Sequence, residues 1–204
     1  MSVRPILLLG DPRLRLAGAQ VDAFDKQLAE LIDDLVHTMR AAPGAGLAAP
    51  QLGEAQNVAV VEAHGRIYEL VNPRIVRENG DQRDYEGCLS IPGYVAEVTR
   101  REKVWVEAQD RRGRLYKFSE VGFLARAVQH ELDHLKGKLY IDYLDSLDDL
   151  LPVVDGEDED PEDPANAQSV PRASVVPKLR EPTVTKHRLI LIGSGAFEIG
   201  RAHV

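Results

Sequence analysis

The chain has 204 residues, 44% hydrophobic and 28% charged, the balance of a soluble globular protein with one substantial core. A net charge of −8, with no basic stripe to meet phosphates, argues against a nucleic-acid partner. The single cysteine, Cys88, excludes an internal disulfide and fits a reducing cytoplasm.

The apolar run at 5–9 is too short for an export-signal core and breaks at Gly10-Asp11-Pro12. No stretch approaches the ~20 apolar residues of a membrane span, so the expectation is a cytoplasmic protein without a membrane partner. Leu28, Leu31, Ile32, Leu35 and Met39 recur at helical steps and predict a helix over 22–40, stopped by Pro43 and Gly44. Short β-like runs follow at 57–62, 67–71, 75–76, 95–99 and 103–109. A turn at 110–113 leads to a pairing strand at 115–119.

A second helix is predicted after Ser119, with Ser119 as N-cap, Glu120 in the first turn and Gly137 at the C-terminal cap. Leu124, Val128, Leu132 and Leu135 form its apolar ridge. Phe123, Ala127, His130 and His134 share the adjoining face. Few strands lead directly into crossover helices, so the expected class is α+β: antiparallel or mixed sheets packed around a central helix that carries His130-Glu131-x-x-His134.

From Asp155 the character changes. DGEDEDPED carries seven acids in nine residues, and 151–182 reads as an acidic, proline-containing linker without fixed structure. The first 150 residues keep a net charge of −5, once the nine acids and six bases beyond them are set aside. Residues 183–204 form a tail. Its HRLILIGSG stretch looks like a strand entering a glycine turn, but too few residues follow to build a dinucleotide-binding domain. A docked extra strand or a flexible tail is the expectation. The chain has no internal repeats.

The chemistry concentrates in QHELDHLKG, residues 129–137. On a helix, His130 and His134 share a face and can point at one ion. Glu131 projects beside them, able to reach a water without being a ligand. The alternative is a solvated helix face that happens to hold two histidines. A catalytic site of this kind takes three protein ligands. Downstream stand only Asp142, Asp145, Asp148, Asp149 and the acidic run before His187. Upstream lies Cys88 in Glu86-Gly87-Cys88-Leu89-Ser90, readable as core filler, as a ligand or as a nucleophile paired with a histidine. A third stretch, GAGLAAPQ at 44–51, lets another chain approach its backbone. It ends in Gln51, which is either an oxyanion donor or an ordinary loop residue.

GAGLAAPQ, EGCLS and QHELDHLKG, in that order and spacing, resemble the peptide deformylase family over roughly the first 150 residues. The resemblance implies that Cys88, His130 and His134 ligate one divalent metal, Fe(II) natively with Zn, Ni or Co able to substitute. It implies Glu131 as general acid/base, and Gln51 with the backbone N–H of Leu89 as oxyanion donors. Ala45, Gly46 and Gly87 would align an extended peptide, and Phe123 and Ala127 would line a methionine pocket. The implied substrate is the N-formyl-methionyl end of a nascent polypeptide, with formate as product and transient proximity to the ribosome. The sequence departs from the family pattern at Gly93-Tyr94-Val95, where some members carry a basic residue that contacts substrate. It departs again in the acidic stretch beyond Leu151. From the residues alone, two competing readings stand beside a deformylase: a zinc peptidase cutting internal amide bonds, and a non-enzymatic metal-binding module.

Overall fold

The computed structural model describes residues 2–42, 44–154 and 184–185. Helix α1 spans Lys26–Ala41 and begins later than the leucine spacing predicts. Asp25 decides the start, because its carboxylate accepts the backbone N–H groups of Gln27 and Leu28, donors that a helix N-terminus otherwise leaves open. Strands β1 (Gly46–Ala48), β2 (Val58–Ala63), β3 (Arg66–Cys88) and β4 (Ile91–Gln109) pair antiparallel in that order. Strand β5 (Leu115–Val121) lies along the outer half of β4, and β6 (Leu151–Val154) pairs with its Tyr94 and Val95. The backbone of β7 (Val184–Thr185) adds parallel to β6. Helix α2 spans Gly122–His134. The class is α+β, built on a mainly antiparallel sheet with two helices.

β2 explains why the two helices can flank one sheet. Its sequence VAVV is apolar without alternation because both of its faces are covered. Val58 and Val60 pack with Leu28, Leu31, Ile32, Leu35 and Met39 of α1. Ala59 and Val61 pack on the other side with Leu124, Val128, Leu132 and Leu135 of α2. A third, smaller apolar cluster gathers Cys88, Ile91, Ala96, Val98, Leu139 and Tyr140 at the end where β3 turns into β4.

Two predicted boundaries are corrected. The second helix does not begin after Ser119: Ser119 and Glu120 belong to β5, paired with Trp105 and Val104. The sheet holds these residues because pairing continues to Val121 opposite Lys103 and Glu120 accepts a hydrogen bond from the Tyr68 hydroxyl. The chain then turns at Gly122 (φ +58°), a backbone conformation that glycine adopts without strain. The separate β-like runs at 67–71 and 75–76 are likewise parts of one strand, β3. Those at 95–99 and 103–109 are parts of β4. The stretches joining them, Asn72-Pro73-Arg74 and Arg100-Arg101-Glu102, are polar apart from Pro73, and even the buried position among them is an arginine, so they carry no apolar alternation to read. The acidic run and the HRLILIGSG stretch fall outside the described residues.

Candidate active site

β3 and β4 form one long hairpin, and its tip is EGCLS. Cys88 pairs with Ile91 there, after a bulge that leaves residues 92–94 unpaired with β3. The tip meets the last turn of α2, where helix geometry puts His130 and His134 on one face. Cys88 Sγ lies 3.3 Å from His134 Nε2, and one donor atom from each of Cys88, His130 and His134 falls within 4.8 Å of the others. Tetrahedral ligation at zinc-like bond lengths would place sulfur and nitrogen about 3.6 Å apart, so the three are already near the spacing of a shared ion. They are the one such donor group among the described residues.

The hydrogen bonds around the group prepare it for a cation. His130 Nδ1 lies 3.0 Å from Glu86 Oε2, which fixes the ring and directs Nε2 toward the other donors. Glu86 is fully buried and also accepts from Arg100 and Arg126. Burial alone would raise its pKa, but the hydrogen bonds from His130 and Arg100, with their positive charges, hold it at about 2. Burial opposes protonation of His130. Hydrogen bonds to Cys88 and Glu86, and the charges there, outweigh that and raise its pKa to about 10. His134 is pushed down to about 4 by burial and by the charge of His130. The two rings are 5.0 Å apart.

Glu131 is buried beneath this group. Burial lifts its pKa to about 7 against the pull of the two histidines, and its Oε2 has no hydrogen-bond partner. The other oxygen, Oε1, rests against Gly46 of β1. A Cβ there would come within 2.4 Å of it. Only glycine admits the carboxylate at this point.

The remaining expected residues fall as follows. Gln51 sits in the 3-10 turn Ala49–Leu52, which follows β1, and is 2% exposed. Its Oε1 accepts the Ala48 N–H at 2.9 Å, which turns Nε2 toward Ser90 Oγ (3.1 Å) and Cys88 Sγ (3.7 Å). Gly87 and Leu89 flank Cys88 at the hairpin tip. Ala45 donates no bond to the site but accepts the Glu62 N–H, anchoring the start of β1. Ala127 is fully buried and Phe123 partly so, both in the core between α2 and the sheet, one and two turns before His130. A cavity of about 510 Å³ lined by Arg66, Tyr68, Glu69, Arg114 and Tyr116 shares no residue with the site.

Sequence reasoning missed Glu86, Arg100, Arg126 and Asp133 as a connected buried set. Glu86 and Asp133 lie inside the quoted motifs and could have been found as partners for the histidines. Arg100 gave no signal, since Arg100 and Arg101 read alike and only one of them is buried.

A thiol and two imidazoles converging near a buried carboxylate, on an α+β frame, define a class: a protein with a donor group that could hold a metal ion. The comparisons narrow it. A family model for polypeptide deformylase matches residues 3–149. The peptide deformylase of Heliobacterium modesticaldum is 50% identical over 142 residues, covering 70% of this chain and 94% of that protein. That of Dictyoglomus thermophilum is 44% identical over 140 residues, 69% of this chain and 92% of its own. Among solved structures, a peptide deformylase from Legionella pneumophila is 44% identical with a TM-score of 0.70, covering 72% of this chain and 88% of its own. One from Synechococcus elongatus in complex with actinonin is 38% identical with a TM-score of 0.69, covering 72% and 84%. The chain belongs to the polypeptide deformylase family.

Proposed function

We propose that the site works through Cys88, His130 and His134 as ligands of one divalent cation, with Glu131 as proton carrier. The activity is that of the family: hydrolysis of the N-formyl group from the formyl-methionyl end of newly made polypeptides, releasing formate. The observation that carries the reading is the convergence of a thiol from the hairpin with two imidazoles from α2, together with a buried, unpartnered Glu131 oxygen on the same turn of the helix. When bound, the ion supplies Lewis acidity, polarising the formyl carbonyl and making water nucleophilic near neutral pH. Glu131 accepts the proton of the attacking water and returns it to the nitrogen as the C–N bond breaks, leaving formate and a free amino terminus. Burial raises the pKa of Glu131 above the usual carboxylate range, which makes its carboxylate a better proton acceptor. The side-chain N–H of Gln51 and the backbone N–H of Leu89 donate to the developing oxyanion. One preorganised donor contributes on the order of 3 kcal/mol.

The peptide lies extended along the backbone of Ala45, Gly46 and Gly87, with its methionine toward Phe123 and Ala127. A mixed thiolate and imidazole donor set suits a soft or borderline ion. Fe(II) is the native metal in this reading, and Zn, Ni or Co can substitute. The cellular setting is the cytoplasm, near the ribosome that supplies the substrate. No helix among the described residues is long and apolar enough to cross a membrane. The peptidase reading loses its support because the third donor is the upstream Cys88. The downstream Asp142 is engaged with Arg15 and the Leu139 N–H. The test is purification of the full chain without oxygen, metal analysis, and formate release from a formyl-methionyl peptide. Stoichiometric metal with release is expected, and metal-replete protein that releases none overturns the reading.

A further inference from the structure

Arg100, on β4 and 5% exposed, links the two elements that supply the donors. Its Nε and Nη2 meet the two oxygens of Glu86 at 2.7 and 3.0 Å, and its Nη1 meets Asp133 Oδ2 at 2.5 Å. Glu86 holds His130 Nδ1 and stands two residues before Cys88, while Asp133 immediately precedes His134. One guanidinium therefore braces positions adjoining all three donors. The Tyr143 ring, 4.5 Å away, covers its face. Arg126, itself on α2, meets Glu86 and the carbonyls of Gln82, Asp84 and Val98 and so ties the first half of the helix to the hairpin, whereas Arg100 reaches the last turn, next to His134.

The histidines need little help with their mutual spacing, since they share one helix. Cys88 comes from another element, and its distance to them depends on how the hairpin sits against α2. A forked, charge-assisted pair fixes direction as well as distance. We infer that Arg100 is a positioning residue that sets where Cys88 stands relative to His130 and His134. This rests on the reading that the three share a divalent ion.

Lysine keeps the charge but not the fork, so Arg100→Lys isolates geometry from electrostatics. Asp133→Asn weakens the hold on the helix and leaves the Glu86 fork. Both variants and wild type, as full chains, are loaded with Co(II). Affinity is read by chelator competition, and the thiolate-to-cobalt charge-transfer band reports on Cys88. Arg100→Lys is expected to lose roughly 10- to 100-fold in Co(II) affinity. Its charge-transfer band weakens, and kcat falls while KM for a formyl-methionyl peptide holds. Asp133→Asn shifts each readout the same way by less. Wild-type affinity and an unchanged band in both variants overturn the inference. Wild type that shows the band but releases no formate sinks the proposed function alone, and the variants' spectra still decide Arg100. Wild type without the band sinks both.

Discussion

At the scale of single residues, the proposed mechanism separates holding an ion from moving a proton. Glu131 is not among the three converging donors, and its free oxygen is buried beside them. Glu131→Ala should therefore keep its metal while formate release falls by about 10²- to 10⁴-fold, the usual worth of a positioned acid/base. Metal analysis alongside single-turnover formate release checks this, and retained turnover would remove Glu131 from the role. Gly46 gives a second expectation. A methyl group there would come within 2.4 Å of the other oxygen of the same carboxylate, which would have to shift. Gly46→Ala should fold and bind metal yet lose on the order of 100-fold in kcat, as a misplacement of about 1 Å costs. A wild-type kcat in that variant would show that Glu131 is not held by β1.

At the scale of elements, the sheet separates two duties. The α1 face is a core without catalytic side chains, whereas α2 packs its apolar ridge on the sheet and gives its last turn to the site. Leu35 is fully buried in the α1 core. Leu35→Ala should lower the unfolding free energy by about 2–5 kcal/mol, read from urea melts, with kcat unchanged. A drop in kcat matching the loss of stability would mean that α1 also supports the site. The helix start tests another rule. Ser119 and Glu120 offer a good cap in isolation, but a paired strand already engages their backbone groups, and its hydrogen bonds win over the local preference.

At the scale of the whole molecule, the family match ends at residue 149, and the continuous described stretch ends with β6 at Val154, with only the backbone of β7 described beyond it. Residues 1–150 are proposed as the catalytic unit, so a chain ending after Val154 should fold and release formate at the full chain's rate. A large loss would assign the acidic stretch and the tail a part in catalysis or folding. Much of this was legible in the sequence. The leucine spacing of α1 and α2, the three motifs and the order Cys88, His130, His134 are local patterns, and local patterns follow from helix periodicity and ligand chemistry. The sequence could not show that the polar runs of β3 and β4 join into one hairpin, because strand pairing on a solvent-facing surface leaves no apolar period. Nor could it separate the buried Arg100 from the half-exposed Arg101 beside it, since burial belongs to the assembled fold. The sequence by itself determined which side chains could do the chemistry. Tertiary structure alone decided that a hairpin tip and a helix end meet at 3.3 Å, because the packing of α2 on the sheet and the buried Arg100–Glu86 and Arg100–Asp133 contacts bring them together, and no local preference along the chain does.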